Sequence, residues 1–115
     1  MRILTVQSHE RGRVYTVETE NGKQCTILLT FHSIERARKW RIGEEEVVET
    51  LLKPAEVLRG HHNRLIAHKP LNDHIVRVIY EYEESSPVVV TVYVPRKSRY
   101  FKGGGLYEDR VLSRC

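Results

Sequence analysis

Val88-Val89-Val90-Thr91-Val92-Tyr93-Val94 is the most hydrophobic run of the chain, seven residues without a charge, ended by Pro95. β-Branched and aromatic side chains suit a pleated surface, and a strand with no polar alternation is covered on both faces only inside a sheet. At an edge it would invite aggregation. The chain must therefore supply strands to enclose it.

Several segments answer that need. His74 to Glu83 alternates, with Val76, Val78, Tyr80 and Tyr82 on a core face and Ile75, Arg77, Ile79 and Glu81 on a mixed one, and Ser85-Ser86-Pro87 turns it into the valine run. Ile3 to Val6 reads as a short strand, Ser8 to Gly12 as a turn, and Arg13 to Thr19 alternates strictly. Asn21-Gly22 suits the two positive-φ positions of a type I′ turn, so Gln24 to Leu29 is expected to fold back antiparallel. Arg64 to His68 forms another short strand, followed by turn chemistry from Lys69 to Asp73. Leu106 to Leu112 is either a short terminal strand or loose.

Two helices interrupt these strands. Thr30 is the expected N-cap of the first, whose apolar stripe is Phe31, Ile34 and Ala37. Its remaining faces are basic: His32 and Arg36 share one side, Arg38 and Arg41 another. They form either a solvated surface, with Glu35 pairing to Lys39, or a face for anions. After Gly43, Glu44-Glu45-Glu46 complement the positive end of a second helix, Val47, Val48, Leu51 and Leu52 supply its apolar face, and Lys53-Pro54 closes it. The expected fold is α+β: two short helices in an αα-hairpin on a twisted, mainly antiparallel sheet, with an extra N-terminal β-hairpin.

With 115 residues the chain is expected to be a single domain, residues 1–29 giving N-terminal strands, 30–94 the core and 95–115 a basic C-terminal segment. A hydrophobic fraction of 40% against 30% charged residues argues against wholesale disorder. Lys and Arg exceed Asp and Glu by 19 to 15, a mild bias toward polyanionic partners. Cys25 and Cys115 lack the spacing of a disulfide scaffold or zinc knuckle, so reduced thiols and a cytoplasmic setting are expected. No apolar segment reaches membrane-spanning or signal-peptide length. Abundant Glu, Lys and Arg with a single Met point to a thermophile.

His32-Ser33, Arg36-Ala37, Arg41-Ile42-Gly43-Glu44-Glu45-Glu46-Val47, Leu51, Lys53-Pro54-Ala55-Glu56, Val76-Arg77-Val78-Ile79 and Val90-Thr91-Val92-Tyr93 form an ordered set. In these residues Phe31 to Val94 resembles a small prokaryotic family catalogued as a domain of unknown function, number forty-two fifty-eight, allied to RelE/ParE-like and BrnT-like toxins. The resemblance implies a RelE-like fold, RNA cleavage, often on the ribosome, and silencing by a small antitoxin. The chain departs from the family pattern at Trp40, where an arginine is expected, and in longer N-terminal strands.

Metal-independent RNA cleavage needs a group to take the 2′-hydroxyl proton, a donor for the leaving 5′-oxygen, and cations on the phosphate. His32 is the leading acid/base candidate. Arg36, Arg64 and Arg77 are candidates to stabilise the transition state, with Tyr93 in reserve. Arg38, Arg41, His61, His62, Arg96, Lys97, Arg99, Tyr100 and Lys102 are candidate RNA-binding residues, the last five in a segment that either clamps a single strand or merely solubilises. His61-His62, His68 and His74 raise a zinc reading, but adjacent histidines on a loop point apart and no Cys or carboxylate lies at ligand spacing, so no metal or other cofactor is expected. The main reading is a toxin-like endoribonuclease acting on free or ribosome-bound RNA. The alternatives are a non-catalytic RNA- or antitoxin-binding module, and a protein-interaction module using a sheet edge or the helices. The catalytic reading requires His32, Arg64 and Arg77 to meet beside one groove.

Overall fold

A computed structural model describes residues 1–105 and Val111. Strands β1 (Arg2–His9), β2 (Gly12–Glu18) and β3 (Gln24–Thr30) precede helices α1 (Phe31–Lys39) and α2 (Glu44–Leu52). Then come β4 (Glu56–Arg59), β5 (Leu65–Leu71), β6 (His74–Glu83), β7 (Ser86–Tyr93) and the single turn α3 (Lys97–Tyr100). The strands form one seven-stranded sheet in the order β1-β2-β3-β7-β6-β5-β4. The valine run thus occupies the middle position, as its composition requires. The β3–β7 pairing is parallel and all other pairings are antiparallel, so the fold is α+β on a mixed, mainly antiparallel sheet.

Thr30 caps α1 as expected: its Oγ1 accepts from the Ser33 amide at 3.2 Å and donates to the Val89 carbonyl at 2.8 Å, fixing the helix start to β7. Ile34 and Ala37 are buried, but Phe31 is 58% exposed, so the apolar stripe is narrower than its spacing implies. The helix ends with Arg41 N–H on the Arg38 carbonyl and Ile42 N–H on that of Ala37, a Schellman closure with Arg41 at φ 59°. Glu35 and Lys39 pair as expected, at 3.8 Å. In α2, Val47, Val48, Leu51 and Leu52 are buried, while Glu44 at its start accepts from Tyr15 Oη at 2.8 Å and pairs with Arg13. α1 packs chiefly on β7, and α2 on β6 and β5. No helix among the described residues is long and apolar enough to cross a membrane.

The core joins Val17, Ile27 and Leu29 to Val76, Val78, Tyr80, Val89 and Val92 beneath the two helices. Val89 and Val92 share this face, although three apart, because β7 carries a bulge: Tyr80 pairs with Val89 but Ile79 with Thr91. Val78 then lies opposite Val92, and the next pair, Arg77 and Tyr93, points to the other face.

Several turns differ from expectation: the Ser8–Gly12 turn shrinks to Glu10-Arg11, because β1 runs to His9, and the Ser85–Pro87 turn moves to Glu84-Ser85. Asn21-Gly22 forms no two-residue turn: β2 and β3 pair out to Glu18 and Gln24, Thr19 N–H bonds the Lys23 carbonyl, and only Gly22 of the two has positive φ. The Thr19 hydroxyl accepting from the Lys23 amide favours this wider loop. The tight turn with two positive-φ residues instead joins β6 to β7 at Glu84 (51°) and Ser85 (70°). Likewise the Lys69–Asp73 turn shrinks to Asn72-Asp73, with β5 continuing to Leu71. Cys25 is buried and disulfide-bonded, in place of the reduced thiol expected. The candidate strand at Leu106 to Leu112 lies outside the described residues except for Val111, which joins the core.

Candidate functional site

The sheet register assembles a polar row that no sequence spacing displays. Glu56 on β4 pairs with His68 on β5, His68 with Arg77 on β6, and Arg77 with Tyr93 on β7, four side chains abreast across four strands. Neighbouring strands lie about 4.8 Å apart, so each side chain stands beside the next. His68 Nδ1 is 2.6 Å from Glu56 Oε2, and Arg77 Nη1 is 2.8 Å from His68 Nε2. Glu56 and His68 are wholly buried, while Arg77 is only partly so.

A guanidinium only donates, so His68 Nε2 is the acceptor, Nδ1 carries the proton and donates to Glu56, and the imidazole is neutral. Burial pushes the His68 pKa down, the Glu56 hydrogen bond pushes it up, and the Arg77 charge pushes it down again; the net position is below 6.5. For Glu56, burial acts upward but is outweighed by the His68 bond and by the N–H groups of Lys102 and Gly104, leaving its pKa below 4.5. The row is therefore carboxylate, neutral imidazole and guanidinium. Because it ends on a group that accepts no proton, the row orients Arg77 and passes no proton to it.

The chain beyond β7 folds back over the same row. Lys97 N–H bonds the Asp73 carbonyl at 2.8 Å, Lys102 N–H reaches Glu56 Oε2 at 3.0 Å, Gly104 N–H reaches Glu56 Oε1 at 3.1 Å, and Gly105 N–H bonds the Ala55 carbonyl at 3.1 Å. These bonds lay the Tyr100 ring against Arg77, 4.3 Å from guanidinium carbon to ring centroid, and bring Arg99 within 5.6 Å of the same ring. Trp40, Arg77, Ile79, Tyr93, Pro95, Arg99 and Tyr100 line an open cleft of about 440 Å³. Arg36 of α1 lies over the Tyr93 ring at 5.6 Å. Trp40, Tyr93 and Tyr100 are 44%, 38% and 38% exposed, so aromatic faces and cations both meet solvent there. Arg77 Nε and Nη2 have no hydrogen-bond partner among the described residues.

Of the candidates named from sequence, the structure gathers Arg36, Arg77, Tyr93, Arg99 and Tyr100 around this cleft. Lys102 contributes its backbone to Glu56 while its side chain is exposed. Arg96 and Lys97 border an adjoining hollow with Asp73, Ser98, Phe101 and Gly103. His32 is exposed near the start of α1, does not line the cleft, and has no hydrogen-bond or ion-pair partner among the described residues. Arg38 and Arg41 are exposed at the far end of that helix. His61 and His62 are exposed in the loop before β5. Arg64 shares the face of Arg77 but pairs with Glu81 at 3.5 Å, about 13 Å farther along β6 by strand rise.

Glu56, His68 and Trp40 are the residues that sequence reasoning missed. The available signal was an acid and an imidazole at the borders of apolar strand segments, since buried polar groups need partners.

Together these features define an α+β domain carrying a cleft of cations and aromatic rings. Residues 29–94 match the family described as Domain of unknown function (DUF4258), and the chain belongs to it. The matched segment holds the whole Glu56-His68-Arg77-Tyr93 row, whereas Arg99 and Tyr100 lie beyond it. No curated protein and no solved structure matches the chain.

Proposed function

We propose that the protein binds single-stranded RNA in the Arg77 cleft and cleaves it without a metal, as a toxin-type endoribonuclease whose chemistry rests on Arg77, Arg99 and the cleft tyrosines, because His32, Arg64 and Arg77 do not meet beside one groove as the reading from sequence required. The observation that carries this reading is the oriented guanidinium of Arg77, with two donor nitrogens unpaired among the described residues, beside exposed aromatic rings. Arg77 and Arg99 hold the scissile phosphate and stabilise the charge that builds as the 2′-oxygen attacks phosphorus and the 5′-oxygen leaves. Tyr93, opposite Arg77 in the register, and Tyr100 are the cleft groups with a proton to move. Trp40 and the tyrosines offer stacking faces for bases. Two successive helices on a mainly antiparallel sheet support the RelE-like, αα-hairpin arrangement that the family resemblance implies, with a small acidic antitoxin as partner.

The test is incubation of the purified protein with single-stranded RNA, free and on ribosomes, followed by end-group analysis. Cleavage to cyclic phosphate and 5′-hydroxyl ends, lost in Arg77→Ala, is expected; intact RNA in both settings overturns the catalytic reading.

One observation favours a non-catalytic RNA-binding module instead. Both ring nitrogens of His68 are engaged out of solvent, His32 stands outside the cleft, and no histidine among the described residues lines it. RNA binding with a salt slope of about −0.7 per phosphate contacted and no scission supports that alternative.

A further inference from the structure

The cleft has two halves of separate origin. Arg77 comes from the sheet; Arg99 and Tyr100 come from the segment after β7, beyond the family match. They meet on one carboxylate. Glu56 accepts from His68, which holds Arg77, and from the N–H groups of Lys102 and Gly104, which hold the returning segment.

We propose that Glu56 is a positioning residue that registers Arg77 against Arg99 and Tyr100 for phosphate recognition, with His68 as its link to the guanidinium. The inference rests on the RNA-binding reading above for its ligand, and on the hydrogen-bond network for its geometry. An unsatisfied buried carboxylate would take up a proton; here the donors it meets keep it ionised. Replacing a buried ion pair by apolar groups often leaves stability intact, so the part assigned to Glu56 is geometry and not stability. The geometry here is particular. Nη1 is tethered to His68 and the guanidinium carbon lies over the Tyr100 ring, which among the described residues leaves the Nε/Nη2 edge, the two-donor edge that matches two phosphate oxygens. Mobile arginines on a surface would present that edge in many directions; this one is held from behind and from one side.

The test compares wild type, His68→Phe, His68→Gln and Glu56→Gln for binding of a mixed-sequence single-stranded RNA oligonucleotide by fluorescence anisotropy, with amide hydrogen exchange read at Lys102 and Gly104. His68→Phe removes the link while filling the site, and should weaken binding about tenfold, the scale of one charge-assisted hydrogen bond. His68→Gln, which can both accept from Arg77 and donate to Glu56, should restore most of that loss. Glu56→Gln should weaken binding and also expose the Lys102 and Gly104 amides to exchange. Folded variants that bind as wild type does overturn the proposal.

If wild type itself binds no RNA, the RNA reading fails and positioning is judged alone. Altered Arg77 Nε–H resonance and lost Lys102 protection in Glu56→Gln then support it, and unchanged signals overturn it. If the variants do not fold, nitrogen–proton correlation on wild-type His68 decides: a neutral ring protonated at Nδ1 supports the network, and any other state overturns it.

Discussion

Arg77 donates through Nη1 to His68 Nε2 at 2.8 Å, and this one bond fixes the state of the ring behind it. With Nε2 occupied by a cationic donor, a second proton has no place on the imidazole.

Stability should therefore fall on acidification. The unfolded chain protonates His68 near 6.5 whereas the folded chain does so at lower pH, so below that value the unfolded state binds more protons. The contribution is complete above 6.5 and is lost as pH falls through the folded pKa. Glu56, also depressed, adds a loss of the same sign below 4.5. Urea unfolding across this range should show a slope approaching about 1.4 kcal/mol per pH unit from His68, absent in His68→Gln. A flat wild-type profile would contradict a ring held neutral in the folded state.

Cations and rings in the cleft should separate by their salt response. Trp40→Ala and Tyr93→Ala remove stacking surface and should each cost about 1–3 kcal/mol of single-stranded RNA affinity with an unchanged salt slope. Arg99→Ala should weaken binding and reduce the slope by about 0.7. Anisotropy titrations at several ionic strengths supply both quantities, and equal slopes for all three variants would place Arg99 away from phosphate.

Gly12 admits no side chain. A Cβ there would lie 1.8 Å from the Leu29 carbonyl oxygen and 2.9 Å from Thr30 Cα, both backbone atoms in the facing strand. Gly12→Ala must separate β2 from β3 at the residue before α1, and should destabilise by about 3 kcal/mol in thermal or chemical unfolding. A Tm equal to that of wild type would mean that the strands part there at little cost.

The turn between β6 and β7 stores strain. Glu84 and Ser85 have φ of 51° and 70°, where L-residues other than Asn, Asp and Gly are uncommon. The double substitution Glu84→Asn, Ser85→Gly supplies the residues this turn favours and should stabilise by about 1 kcal/mol, seen as a raised Tm with unaltered RNA binding.

Much of the architecture was legible because its signals are local. The valine run declared its central place, the alternation of His74 to Glu83 sorted core from mixed face, and Thr30 announced a helix start. The Asn21-Gly22 signal was local too, but Thr19 and Lys23 close a wider loop around it, while the turn read at Ser85-Ser86-Pro87 falls one residue earlier, on Glu84-Ser85, with Ser86 and Pro87 already paired in β7. The site was legible only where one residue carried the signal, as at Arg77, Tyr93, Arg99 and Tyr100. Glu56 and His68 belong to it through strand register, and that register depends on where two hairpins begin. His32 shares a helix side with Arg36 by spacing, yet only Arg36 reaches Tyr93.

The parallel seam between β3 and β7 consists of two residue pairs, Leu28 with Val88 and Leu29 with Val89. Two antiparallel ribbons are thus stitched at a short join, and the family match begins at that stitch. The N-terminal ribbon of three strands acts as a shutter on the valine strand, covering backbone that would otherwise stand as an open edge, and among the described residues it does so without lending a side chain to the cleft on the far ribbon.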